Sequence, residues 1–189
     1  MRVISGLARG TKLDSRESNS TRPTLDRIKE NMFNLIQDNI IDSVVLDLFA
    51  GSGQLGIEAL SRGANKCYFC DIDREDIIFL KKNIEKTHLN EKAQIFNKDF
   101  KILLDTLNEK CDLIFIDPPY KSEFANQSIE MIHDKGLLNK DGLIVIETDE
   151  AQKIQEFLNS RTYINILKTK NYGRVSLFII SFQNWREKY

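Results

Sequence analysis

The sequence predicts an α/β fold built on a doubly wound, mostly parallel sheet, and three observations predict it. From residue 44 onward, short apolar runs alternate with segments whose apolar residues recur at helical spacing. The runs are apolar nearly throughout, as strands buried on both faces are. Strict alternation of strand and helix demands right-handed crossovers, and those build a parallel sheet. The 189 residues, 41% of them hydrophobic, supply one core.

The elements follow in order. Residues 1–20 read as a basic arm, a small hairpin or a segment ordered on binding, with Gly6 and Gly10 punctuating two short strands. Residues 21–189 read as one domain. It opens with an amphipathic helix over 21–40, where Leu25, Ile28, Met32, Phe33, Leu35, Ile36 and Ile40 share a face and Pro23 sits near the front, where a missing N–H is harmless. Strands are predicted at 43–49, 66–71, 93–99, 111–117 and 142–148. Helices are predicted at 54–63, closed by Gly63, and at 74–89, 100–110, 128–138 and 151–160. Runs at 163–169 and 174–182, joined by a short turn at Asn171 to Gly173, read as an antiparallel pair that finishes the sheet.

Charge and cysteine content narrow the function. The net charge of −1 does not mark a nucleic-acid binder, but residues 1–30 carry seven basic side chains against four acidic ones, leaving −4 for the rest. Cys67, Cys70 and Cys111 make an odd count with no secretory leader before them, which points to a reducing compartment and the cytoplasm. In CYFC the two thiols fall on opposite faces of a strand, so they read as small buried hydrophobes rather than metal ligands. No apolar stretch is long enough to span a bilayer.

Ligands of such sheets sit beyond the carboxyl ends of the strands. Strand one ends in DLFAGSG, strand two in Asp71 and Asp73, strand three in Asp99, and strand four in Asp117, Pro118, Pro119 and Tyr120. A single acid there is commonly a turn or cap residue, whereas acids on consecutive strand ends form a rim. Gly51, Gly53 and Gly56 give the spacing G-x-G-x-x-G between a strand and a helix, with Asp71 twenty residues beyond Gly51 to accept from ribose hydroxyls. That pattern suits NAD and S-adenosylmethionine equally. Asp47, inside the first strand, needs a partner if buried: the amino group of a methionine moiety, or a backbone N–H of the helix that follows.

DPPY carries the chemistry. An exocyclic amine on a nucleobase is a poor nucleophile, because its lone pair is delocalised into the ring. Hydrogen bonds from its two N–H groups to Asp117 and to the Pro118 carbonyl would direct the lone pair outward, and two prolines keep those acceptors aimed. Tyr120 would stack on the unstacked base, a contact worth roughly 1–3 kcal/mol.

These residues carry a family resemblance. MRVISGLARGTKL at the start, TRPTLDRIKENMFN at 21–34, VLDLFAGSGQLGIEALSRGA at 45–64, DIDRE at 71–75, DLIFIDPPY at 112–120 and GLIVIE at 142–147 resemble the bacterial small-subunit (16S) rRNA guanine-N2 methyltransferases, over nearly the whole chain. The resemblance implies a Rossmann-like, seven-stranded sheet in the order 3-2-1-4-5-7-6 with strand 7 antiparallel, S-adenosylmethionine as cofactor, and 16S rRNA or an assembling small subunit as partner. It implies cofactor contacts from Asp47, Phe49, Gly51, Gly53 and Asp71, with Ile72 against the adenine and Asp99 near its amino group. Asp71 stands where relatives often carry Glu, and either acid can hold a ribose. Arg22 and Thr24 would lie beside cofactor or target, although a helix-start cap also explains Thr24. Arg2, Arg9, Lys12 and Arg16 become candidates for RNA phosphate contacts. DPPY chemistry alone does not separate guanine N2 from adenine N6. An NAD oxidoreductase would need a proton donor at the site, and neither His88 nor His133 is placed for it. A non-catalytic RNA-binding module would have no use for an intact DPPY.

Overall fold

The computed structural model describes residues 1–16, 23–119 and 123–183. The sheet has seven strands in the order β3-β2-β1-β4-β5-β7-β6. They are β1 (Val44–Asp47), β2 (Lys66–Asp71), β3 (Ala93–Asn97), β4 (Cys111–Ile116), β5 (Leu138–Thr148), β6 (Ile164–Tyr172) and β7 (Val175–Phe182). Pairing is parallel from β3 to β5, and β7 runs antiparallel to both neighbours. The helices are α1 (Pro23–Leu35), α2 (Gln54–Ser61), α3 (Arg74–Thr87), α4 (Phe100–Thr106), α5 (Phe124–Lys135) and α6 (Ala151–Asn159). The order reverses between β1 and β4, which opens a crevice at their carboxyl ends.

Alternation along each strand divides the core into two apolar layers. Val45, Cys67, Phe69, Leu113, Phe115, Leu143 and Val145 face the layer that takes α1, α2 and α3. Leu46, Tyr68, Cys70, Ile114, Ile116, Ile144 and Ile146 face the layer that takes α4, α5 and α6. Cys67 and Cys70 therefore lie on opposite faces, and burial pushes the Cys70 thiol up to about 12. Gly56 is where α2 meets the sheet most closely, since a Cβ there would lie 2.3 Å from the Phe69 ring.

Several boundaries differ from those expected. The first helix stops at Leu35 and a separate 3-10 turn follows at Gln37–Asn39, because short polar side chains favour a tight turn, while Ile36 and Ile40 stay buried as their spacing requires. The fifth strand begins at Leu138, which pairs with Cys111 ahead of a bulge. Its polar Asn139, Lys140 and Asp141 conceal that extension in the sequence. The hairpin turn is Gly173 and Arg174, one step later than expected, and Gly173 supplies the positive φ of 67° that a two-residue turn needs.

The arm is a hairpin closed by the antiparallel bridge Arg2 to Lys12, and it is part of the core. Val3, Ala8 and Leu13 are buried in the layer shared with α1 to α3. Glu58 of α2, fully buried, accepts the N–H groups of Ile4 (2.8 Å) and Ser5 (3.0 Å) and pairs with Lys29 (3.3 Å) and Arg62 (2.8 Å). Among the described residues no helix is long and apolar enough to cross a membrane.

Candidate active site

The carboxyl ends of β1, β2, β3 and β4 open into one cleft of about 570 Å³, a size that suits a nucleoside-bearing ligand. Phe49, Asp71, Ile72, Asp99, Asp117, Pro118 and Pro119 all line it. Seven residues chosen from sequence thus meet in one place. Asp71 ends β2 half-buried, and its two oxygens accept the N–H groups of Gly51 (2.7 Å) and Asp73 (2.9 Å). Each carboxylate oxygen retains a second lone pair for a ribose hydroxyl. Ile72 presents a side chain left 69% exposed, a flat apolar face at the cleft wall.

The glycine loop is tied to this cleft through Asp71, which accepts the Gly51 N–H, while Gly51 and Gly53 are not among the residues that line it. Gly51 has φ of 52°, and a Cβ there would meet nothing within 4 Å, so the space in front of its backbone is open to a ligand. Gly53, with φ of 85°, is the N-cap of α2. Asn83 of α3, buried, donates to the Ser52 carbonyl (2.9 Å) and exchanges two hydrogen bonds with the Asp14 backbone, tying the arm to the loop.

Asp47 does not face the cleft. It is 2% exposed, and its Oδ2 accepts the Gly56 N–H (2.9 Å) from the first turn of α2, so the helix terminus rather than a side-chain cation is its partner among the described residues. Burial pushes its carboxyl up to about 7, against the pull of that hydrogen bond.

The rim acids divide into two kinds. Asp73 caps α3 through the Glu75 N–H (2.8 Å), as a lone acid after a strand commonly does. Asp99 caps α4 through the Lys101 N–H (2.8 Å) and still lines the cleft. Asp117 is half-buried and pushed well above the usual carboxylate range, first by burial, then by the neighbouring Glu147 and Asp47.

Sequence reading missed two aromatic neighbours of the site, Phe100 and Phe124. Phe49 packs against Phe100 (5.1 Å between centroids) and lies parallel to Phe124 (6.2 Å, 3°), the first residue of α5. Phe124 follows Pro119 closely in the chain, the one signal that could have found it. Tyr120 and Arg22 fall outside the described residues, as does the side chain of Thr24.

Of the basic arm residues, Arg2, Arg9 and Lys12 are exposed, and an open cleft of about 670 Å³ between arm and α1 is lined by Arg2, Arg9, Arg27, Asp26 and Glu30. Arg16 is committed elsewhere. It pairs with Asp73, with Glu75 (3.3 Å) and with Asp76 (3.3 Å) at the start of α3.

The lining bears on the class of cofactor. Asp71, Asp76, Asp99 and Asp117 line the cleft, with Lys98 as its one cationic side chain among the described residues, an acidic wall that suits a sulfonium cation better than a dinucleotide pyrophosphate. His88 ends α3 with φ of 57°, and His133 stacks on Tyr163 at 3.7 Å; neither lines the cleft.

Comparison with known proteins finds relatives over nearly the whole chain. The family described as "Conserved hypothetical protein 95" matches residues 1–181. "Ribosomal RNA small subunit methyltransferase D" of Haemophilus influenzae (strain ATCC 51907 / DSM 11121 / KW20 / Rd) is 37% identical over 182 residues, 93% of this chain and 91% of its own. Protein YlbH of Bacillus subtilis (strain 168) is 40% identical over 182 residues, 95% of this chain and 97% of its own. Among solved structures, yhhF of Escherichia coli shares the fold at a TM-score of 0.82 and 29% identity, covering 97% of this chain and 98% of that one.

Proposed function

Because the chain belongs to the Conserved hypothetical protein 95 family, with a small-subunit rRNA methyltransferase among its relatives, we propose that it methylates the exocyclic N2 amine of a guanine in 16S rRNA. The observation that carries this reading is the shared cleft: the residues suited to a nucleoside cofactor and the rigid Asp117-Pro118-Pro119 run line the same space.

S-adenosylmethionine fits the residues present: open space before Gly51, acceptors on Asp71 for ribose hydroxyls, the apolar face of Ile72 and an acidic wall. When bound, it supplies a methyl group on a positively charged sulfur. Asp71 would hold its ribose, Ile72 and Phe49 its adenine, and Asp99 the adenine amino group. Asp47 acts from behind, holding α2 and the glycine loop in register through Gly56.

The target amine enters beside Asp117. Its two N–H groups donate to the Asp117 carboxylate and the Pro118 carbonyl, which turns the nitrogen lone pair toward the cofactor, and Asp117 takes the proton that the nitrogen sheds. Stiff backbone at Pro118 and Pro119 means these acceptors need no reorganisation. The base reaches this position only outside its helix, stacked on an aromatic ring, with Tyr120 and Phe124 as the candidates.

Labelled S-adenosylmethionine, small-subunit particles or naked 16S rRNA, and nucleoside analysis of the product test this reading. N2-methylguanosine is expected. N6-methyladenosine would move the reaction to the other amino-methylating class, and unlabelled RNA would contradict the activity.

The arm's role has its own test. Arg2, Arg9 and Lys12 contact phosphates, in a compartment reducing enough to keep Cys67, Cys70 and Cys111 free. Changing the three basic residues to Gln should flatten the dependence of log K on log salt by about 2, at about 0.7 per phosphate contact on single-stranded RNA. Arg16→Gln should leave that slope unchanged, because Arg16 already holds Asp73, Glu75 and Asp76. An unchanged slope in the triple variant would remove the arm from the RNA interface.

A further inference from the structure

The β6–β7 hairpin carries positive charge to the rim of the sheet that holds Asp117. Residues 161–182 contain Arg161, Lys168, Lys170 and Arg174 and no acid, in a chain whose net charge is −1. Two of these cations are engaged within the fold. Arg161 pairs with Glu130 (2.6 Å), and the Lys168 ammonium donates to the Leu35 carbonyl at the end of α1 (3.2 Å). Lys170 and Arg174 are exposed, and no acid among the described residues pairs with either.

Strand register fixes where those two cations stand. Ser176 of β7 pairs with Thr148, the last residue of β5, while Ile146 of β5 pairs with Ile116 of β4, one residue before Asp117. The turn at Gly173 and Arg174 therefore lies past the carboxyl ends of β4 and β5, and β7 is two strand spacings, about 10 Å, across from β4. Val175, next after the turn, lines one small pocket with Asp117, Pro118 and Pro119. The tip is also held in shape. Tyr172 pairs with Val175 across it, Gly173 takes a φ of 67°, and the Ser176 hydroxyl donates to Asn171 Oδ1 (2.9 Å). Lys170 sits opposite Leu177, so it emerges on the side of the sheet that carries α1.

The rim between Asp117 and the hairpin is otherwise acidic. Glu147, Asp149 and Glu150 line that same pocket, and its one cation among the described residues, Lys153, is turned to Glu123 (2.6 Å) and Glu150 (3.6 Å). Phosphates beside a base that enters at Asp117 meet repulsion from these acids and need cations to offset it. We propose that the tip of the β6–β7 hairpin is a second RNA contact, in which Lys170 and Arg174 hold the phosphates of the unpaired strand next to the target nucleotide. α1 separates this contact from the basic arm, which Lys29 ties to the helix through the Arg2 carbonyl (2.6 Å). The RNA is thus held on both flanks of α1, and a hairpin already rigid adds little ordering cost on binding.

This inference rests on RNA being the substrate, and the experiment keeps the two apart. Binding of naked 16S rRNA is titrated over a range of salt for the wild type, for the double variant Lys170→Gln/Arg174→Gln, and for Lys110→Gln, whose exposed lysine precedes β4 at the opposite end of the sheet. The double variant should flatten the dependence of log K on log salt by about 1.4, at about 0.7 for each phosphate contact on single-stranded RNA, and Lys110→Gln should leave it unchanged. An unchanged slope in the double variant, or an equal flattening in Lys110→Gln, overturns the proposal and leaves methylation by the wild type untouched. A wild-type chain that binds 16S rRNA without methylating it overturns the underlying reading and leaves the slopes to judge the hairpin; one that does not bind it overturns both. Should the double variant not fold, lysine acylation of the wild type decides. Bound RNA should shield Lys170 and leave Lys110 reactive; a Lys170 that reacts equally fast with and without RNA overturns the contact.

Discussion

Asp117→Ala should lose methyl transfer by a factor of about 10²–10⁴ or more, while its affinity for S-adenosylmethionine stays within a few-fold of wild type. The first half follows from what the carboxylate does. In the proposed reaction it is the side-chain acceptor at the cleft wall beside Pro118 and Pro119, and without it the target amine would keep its lone pair in the ring and lose the group that fixes its approach. Placing the nitrogen about 3–3.5 Å from the methyl carbon is the larger share of that factor. The second half follows from geometry, because Asp71, Ile72, Phe49 and Asp99 come from other strand ends and keep their places. Single-turnover methylation and calorimetric cofactor binding read the two halves separately. Loss of both together would reassign Asp117 to the cofactor.

Glu58→Ala should cost about 3–5 kcal/mol of stability, the usual penalty for breaking a buried ion pair. Glu58 is fully buried and is the meeting point of two arm N–H groups, Lys29 and Arg62. Its removal leaves the Lys29 ammonium, only 3% exposed, without its carboxylate, and the amides of Ile4 and Ser5 without an acceptor. Thermal unfolding should show a fall of about 10 °C, at about 2–4 °C per kcal/mol for a chain of this size. Amide exchange at Ile4 and Ser5 should accelerate before that of the sheet. A loss under about 1 kcal/mol would mean that apolar packing of Val3 and Leu13, and not the buried acid, holds the arm. Truncating the arm would expose that same apolar surface, so substitution of its exposed cations is the cleaner probe of RNA binding.

The particular residues show what sequence could and could not reveal. Strand and helix alternation was plain because the central strands β1, β2 and β4 are apolar on both faces, and the rim acids were plain because they follow strand ends. The resemblance supplied the strand order, which periodicity does not contain. Partnerships across the fold were hidden. Arg16 read as a free cation because its acids lie on α3, far along the chain. Asp47 left two partners open, and the closeness of α2 to β1 supplies one of them, the Gly56 N–H. Polar residues at the start of β5 likewise masked a pairing that Leu138 makes through Cys111.

A structure of the protein with S-adenosylhomocysteine and a target RNA fragment tests the central claim most directly. The account predicts the cofactor's ribose on Asp71, its sulfur over the crevice between β1 and β4, and an everted guanine whose amine donates to Asp117 and the Pro118 carbonyl. A cofactor seated outside this cleft, or an Asp117 carboxylate turned away from the bound base, would contradict it.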